Sequence, residues 1–258
     1  MSKVLGVFRL AGLIIALSSS PGLAVARPQA LVVVSANAEW RIVRQAFSEA
    51  QVNSSPYGEY FISRLGSNDL EREVLFFHEG WGKVAAAGAT QYAIDRWKPQ
   101  YIINLGTCGG FEGRIRKFDV VLADATIIYD IREAMGDSKE AISDYSTTLD
   151  LSWLPEPYPT AVTRTKLVSA DRDLVPSEIE SLAKEYQAVA GDWESGAIAW
   201  VAKRNGVRLL ILRGVTDLVS PTRGEAYGSP EVFQEGTRTV MMQLLKDLPL
   251  WLNRLPKQ

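Results

Sequence analysis

The chain has one cysteine and one histidine in 258 residues, and each scarcity removes a class of chemistry. With Cys108 alone there is no internal disulfide and no cysteine-based zinc cluster, so stability must come from the core. With His78 alone a histidine-rich metal site is excluded, and a Ser-His-Asp triad would have to use that one ring. His78 stands in "LFFHEG" at the end of a strand-like run and is read as a structural residue. A basic surplus is also missing: 28 Lys and Arg face 30 Asp and Glu, so a nucleic-acid partner lacks its electrostatic footprint. No segment reaches the roughly 18 consecutive apolar residues that span a bilayer.

The N-terminus has the layout of an export signal. Lys3 and Arg9 are basic, Leu10–Leu17 ("LAGLIIAL") is a short apolar core, and Ala24-Val25-Ala26 is an A-x-A cleavage site. Residues 1–26 are therefore expected to be removed, leaving an exported chain, 27–258, as one domain with no membrane span.

Beyond the leader, apolar runs rich in branched residues alternate with helical patterns. Strands are expected at Ala30–Ala36, Glu73–Glu79, Tyr101–Gly106, Asp119–Asp124, Lys166–Asp171 and Val207–Val215. Helices are expected at Glu39–Ala50, Gly82–Trp97, Ser177–Tyr186, after Glu194, and at Pro230–Leu250. Continuous apolar strands alternating with helices imply an α/β domain with a largely parallel, covered sheet. The glycine-rich "GTCGG" (Gly106–Gly110) reads as a loop after the third strand, and residues 131–165, with "LPEPYP", as a lid, a subunit contact or a disordered loop.

Ligands of open α/β sheets gather at the carboxyl ends of strands. That places Glu39 and Asp217 on one crevice, with Glu194 at a helix start where the dipole favours an anion. "GWGK" fails the P-loop spacing, and "GTCGGFEG" fails the dinucleotide fingerprint.

Taken together, "GWGKVAAAGATQYAIDRWKPQYIINLGTCGG", "FDVVLADATIIYD" and "DWESGAIAWVAKRNGVRLLILRGVTD" resemble the nucleoside phosphorylase/nucleosidase superfamily, in particular its 5′-methylthioadenosine/S-adenosylhomocysteine nucleosidase branch. The 23 residues from Glu194 to Asp217 fit the family without a gap. The resemblance implies a three-layer single domain around a central twisted mixed sheet, curled toward a barrel, a homodimer, a nucleoside substrate and no metal or organic cofactor. It also implies roles: Asp217 as the acid at purine N7, Glu39 as the base that activates water, Glu194 as the ribose ligand, and Thr107, Gly109 and Gly110 along the sugar and water side.

The chain departs from the family pattern where the pocket is shaped. Trp193 stands for a Met between the paired acids, Trp81 for a smaller aliphatic, and Ala36 for a Met. Tyr227 falls near a pocket-closing aromatic, and Asp173 in "SADRD" takes the place of an aromatic that stacks on the base. The expected activity is hydrolysis of purine nucleosides to base and sugar. The alternatives are a phosphate-dependent phosphorylase, disfavoured because only Arg41 stands near the first loop, and a secreted nucleoside-binding protein of the same fold.

Overall fold

The computed structural model describes residues 27–66 and 71–256. The export leader expected at 1–26 lies outside the described residues.

Ten strands are joined in one sheet: β1 (Ala30–Val34), β2 (Asn53–Ser54), β3 (Glu59–Leu65), β4 (Arg72–His78), β5 (Tyr101–Phe111), β6 (Val120–Ile128), β7 (Ser146–Thr148), β8 (Thr163–Ser169), β9 (Ala188–Asp192) and β10 (Arg208–Val219). Parallel ladders link β4, β1, β5 and β10, and also β6, β8 and β9. Antiparallel ladders join β10 to β6 and β5 to β9. These pairings close β5, β10, β6, β8 and β9 into a ring, so the sheet curls into a barrel at one side, while β1, β4, β3 and β2 extend it as an open wing. The sheet is thus mixed, with its parallel strands at the centre.

Among the described residues six α-helices flank it: α1 (Asn37–Ala46), α2 (Gly82–Trp97), α3 (Ser138–Asp144), α4 (Ile179–Tyr186), α5 (Ser195–Arg204) and α6 (Pro230–Leu252). Helix α1 packs on α6 and α2 on α5. Every residue of β1 is buried, as its unbroken branched sequence requires for a strand covered on both faces. The small residues Ala86, Ala89 and Ala93 form the buried stripe of α2 and allow close packing.

Three expectations change. The glycine-rich segment is not a loop, because β5 continues through it to Phe111. A Cβ on Gly106 would lie 2.1 Å from Arg213 Nη1, and one on Gly110 2.7 Å from Val215 Cγ1, so these glycines admit side chains of the neighbouring strand. Within residues 131–165, the stretch 149–160 forms no lid but packs into the core. Leu149, Leu151 and Leu154 are core residues, Trp153 packs on Tyr101 with ring centroids 5.3 Å apart, and Thr160 accepts a hydrogen bond from Trp251 Nε1 at 3.1 Å. Tyr101 begins β5, so residues 149–160 are stapled to the end of the sheet opposite the site described next, while Arg132 lies 3.9 Å from Glu178 on the site's side. Helix α1 starts at Asn37 and stops at Ala46 rather than running from Glu39 to Ala50.

Candidate active site

A crevice of about 580 Å³ opens at the carboxyl ends of β1, β5, β9 and β10. Glu39, Thr107, Gly109, Asp173, Trp193, Glu194, Asp217, Trp81 and Tyr227 all line it, together with Ala36. Gly110 does not: it is buried in the ladder between Ala190 and Leu218. His78 is also outside, stacked on Trp40 at 5.3 Å with its Nε2 3.0 Å from the Ser35 carbonyl.

Glu39 stands on the third residue of α1 and is 1 % exposed. Its Oε1 accepts from the Thr107 amide at 2.6 Å and the Thr107 hydroxyl at 2.8 Å, and its Oε2 from the Ala36 amide at 3.2 Å. A carboxylate has about four acceptor positions, so Glu39 is held in one orientation with an acceptor left for water. Thr107 therefore serves this site through Glu39 rather than only by lining it.

The cation behind these acids is Arg213, in the apolar run "LLILRG" of β10. It is 1 % exposed, and its guanidinium reaches Asn104 Oδ1 at 2.9 Å, Glu39 Oε1 at 3.8 Å and Glu194 Oε2 at 3.8 Å. Its Nε lies 2.9 Å from Asp192 Oδ2, a charge contact whose angle departs from that of a hydrogen bond. Asp192 accepts at Oδ1 from Ser169 Oγ at 2.6 Å and Ser195 Oγ at 2.9 Å, and its Oδ2 has no hydrogen bond among the described residues. Sequence reasoning passed over Arg213, and Asp192 entered only as one of the paired acids flanking Trp193; the available signal for Arg213 was an arginine directly after the apolar run Leu209–Leu212.

Glu194 caps α5 and accepts from the Gly82 amide at 3.1 Å, one of the unpaired donors that open α2. The next donor, the Lys83 amide, goes to Asp171 Oδ1 at 2.7 Å. Lys83 Nζ is ion-paired with Asp130, tying the start of α2 to the loop after β6. Burial pushes the Glu194 carboxyl up to about 8 against the opposing pull of Arg213, with Glu39 and Asp192 adding to the rise.

Asp217 follows a register shift between Val215 and Asp217 in β10. Such bulges re-aim side chains beside active sites. Thr216 Oγ1 donates to its Oδ1 at 2.6 Å, while Oδ2 has no hydrogen bond among the described residues. The side chain lines the crevice at 6 % exposure, and burial raises its pKa, with Glu225 and Asp173 adding to the rise. A buried carboxyl whose pKa is raised, with one oxygen free, can donate a proton to whatever occupies the crevice.

At the mouth, Trp81 is 64 % exposed and forms a tilted pair with Trp193, centroids 5.7 Å apart. Tyr227 donates to the Leu174 carbonyl at 2.5 Å, joining the loops after β10 and β8. Phe233 from α6 also lines the crevice and was not foreseen.

Glu79 is a fifth buried acid in this neighbourhood, one that the sequence reading left unused. It is fully buried; its Oε1 accepts from Thr90 at 2.8 Å and its Oε2 has no partner. Burial pushes it to about 8 from an ordinary 4.5, with Arg213 opposing and Glu194 adding to the rise. Between these values the folded chain binds the proton and the unfolded chain does not. Stability from Glu79 is therefore full below pH 4.5 and is lost, at about 1.4 kcal/mol per pH unit, as pH rises toward 8. Glu79→Gln keeps the Thr90 bond and removes this titration. Its melting temperature is expected to fall less between pH 5 and pH 8 than that of the parent, as differential scanning calorimetry would register; an equal fall would mean that Glu79 does not hold the proton.

Among the described residues no group of three or more His, Cys, Asp and Glu is arranged to hold a metal ion, and no helix is long and apolar enough to cross a membrane.

Known proteins resemble the chain along nearly its whole length. A nucleosidase of Tolumonas auensis described as acting on 5′-methylthioadenosine and S-adenosylhomocysteine is 28% identical over 225 residues, covering 81% of this chain and 95% of the relative. The corresponding protein of a Marinomonas species is 26% identical, covering 73% and 85%. In fold, the Streptococcus pneumoniae nucleosidase bound to 8-aminoadenine superposes with a TM-score of 0.72 at 18% identity, covering 88% of this chain and 100% of that one. The Neisseria meningitidis nucleosidase with methylthio-immucillin-A gives 0.68 at 20% identity, covering 88% and 99%. The sequence pattern of the phosphorylase superfamily matches residues 30–248, and the chain belongs to that superfamily.

Proposed function

We propose that this chain hydrolyses the N-glycosidic bond of purine nucleosides of the 5′-methylthioadenosine/S-adenosylhomocysteine type, releasing free base and sugar. The observation that carries the reading is one crevice with a buried acid of raised pKa, Asp217, and a separately anchored carboxylate, Glu39, around a space of nucleoside size. The names of its relatives point the same way.

Cleaving the C1′–N bond sends an electron pair to the base and leaves an oxocarbenium-like sugar. Asp217, protonated, supplies the proton that makes the base a neutral leaving group. Glu39 accepts the proton of the water that attacks C1′, oriented by Thr107 and Arg213. Glu194 accepts from the ribose hydroxyls and fixes the sugar between the two. The arrangement parallels the paired carboxyls of glycosidases. Water rather than phosphate is favoured because Arg213 is already surrounded by carboxylates. Trp81 and Trp193 would bound the 5′ substituent. No cofactor is needed.

Export after removal of residues 1–26 and assembly as a homodimer belong to the same proposal. The leader pattern supports the first. The exposed Trp81 and Val84, at 64 % and 86 %, support the second by placing apolar surface beside the crevice mouth.

Protein beginning at Arg27 should release base from 5′-methylthioadenosine at the same rate with and without phosphate, as chromatographic separation of base and sugar would show. Release only with phosphate, yielding a sugar phosphate, would make it a phosphorylase. Binding without release would make it a carrier.

A further inference from the structure

Helix α2 begins without a cap of its own. Trp81 at the N-cap position makes no side-chain hydrogen bond, and no acid stands in the first turn. Its opening amides donate instead to carboxylates far along the chain, Gly82 to Glu194 Oε1 at 3.1 Å and Lys83 to Asp171 Oδ1 at 2.7 Å. The turn leading in is built for this contact. Gly80 and Gly82 both have φ +83°, and a Cβ on Gly82 would stand 3.0 Å from Asp171 Oδ1.

Lys83 is a cation at the positive end of a helix dipole, where a positive charge is unfavourable unless compensated. The compensation comes from two acids. Its Nζ is ion-paired with Asp130 and lies 4.0 Å from Asp171 Oδ2, while the Asp171 amide donates to Asp130 Oδ2 at 3.0 Å. The Lys83 and Asp130 side chains are only 19 % and 17 % exposed, so solvent screens this pair less than an open surface pair. The cluster thus ties together the start of α2, the loop after β6 and the loop after β8. None of its three members lines the crevice, yet Trp81, Arg172 and Asp173 beside them do. Glu194 is surrounded by the charges of Arg213 on β10, Glu39 on α1, Asp192 on β9 and Glu79 after β4. Among the described residues the Gly82 amide is its one hydrogen-bond donor.

We propose that Lys83, Asp130 and Asp171 are positioning residues for Glu194: they hold the Gly82 amide where it fixes one carboxylate oxygen and leaves the rest of the group to the sugar hydroxyls. This rests on the hydrolase reading above. The cluster acts through Gly82 and touches neither the substrate nor the reacting atoms, so its effect falls on the grip of the ribose.

The test compares the parent chain from Arg27 with Asp171→Ala and Lys83→Met, on 5′-methylthioadenosine and on its 2′,3′-dideoxy analogue, which offers Glu194 no hydroxyl. Each variant is expected to lower kcat/KM for 5′-methylthioadenosine about 10-fold or more, chiefly through KM, and for the dideoxy analogue by no more than about 2-fold. Melting curves establish that a variant is folded, and if one is not, the other decides. A loss shared equally by the two substrates, or no loss on either, overturns the inference and leaves the hydrolase reading standing. If the parent binds the nucleoside without cleaving it, the hydrolase reading falls and the same comparison made on Kd by calorimetry decides the inference. A parent that neither binds nor cleaves overturns both.

Discussion

Asp217→Asn loses about 100- to 10,000-fold in kcat on 5′-methylthioadenosine while its melting temperature stays near that of the parent. The amide retains the shape of the carboxyl and can still meet Thr216, but it has no proton to transfer to a departing base. Burial favours the protonated form in the parent, since desolvation disfavours the charged one. The sign of the pH dependence follows. The catalytic form is the protonated one, so kcat falls as pH rises through the elevated pKa of Asp217. The variant lacks that limb. A pH–rate profile measured on both proteins checks both points; a variant with parental kcat would remove Asp217 from the chemistry.

Arg213→Met is the second large effect, and it acts on folding as well as turnover. The guanidinium is the buried cation shared by Glu39, Asp192 and Glu194, with contacts from 2.9 to 3.8 Å. Removing one partner of a buried ionic cluster costs about 3–5 kcal/mol, because the remaining charges stay in the low-dielectric interior. In a chain of this size that corresponds to a melting temperature lower by about 6–20 °C. The loss should shrink as pH is lowered from 8 to 5, where the stranded carboxyls take up protons. Scanning calorimetry at the two pH values measures this, and a pH-independent loss would point to packing instead of charge. Arg213→Lys should recover part of the stability but little activity, since a single ammonium cannot hold several carboxylates in the arginine's fixed fork.

What the sequence made legible is unequal for physical reasons. Helix α2 was expected over Gly82–Trp97 and lies there, because its start at a glycine and its end before Pro99 are local signals. Strands β1, β4 and β10 announce themselves by the apolar runs Ala30–Val34, Val74–Phe77 and Leu209–Leu212. The glycines of β5 misled because their function is non-local: they make room for Arg213 and Val215 on β10, a hundred residues further along the chain. The hairpin of β2 and β3, half-exposed and polar, has no hydrophobic run to mark it. In the site, Glu39, Glu194 and Asp217 were found from their positions at strand ends and a helix start, and they do share a crevice. Arg213 and Glu79 were not, since a buried charge is recognisable only once its partners are assembled. For Arg213 those partners come from α1, β5, β9 and α5.

The central claim is that water, activated at Glu39, replaces the base at C1′. Incubating the chain with 5′-methylthioadenosine in phosphate-free, ¹⁸O-enriched water under short reaction times, with mass analysis of the sugar, tests it most directly. The account predicts one ¹⁸O in the C1′ hydroxyl above the level that exchanges spontaneously into free sugar, at a rate abolished by Glu39→Gln. Absence of any free sugar until phosphate is added, with the product then carrying phosphate at C1′, would contradict it.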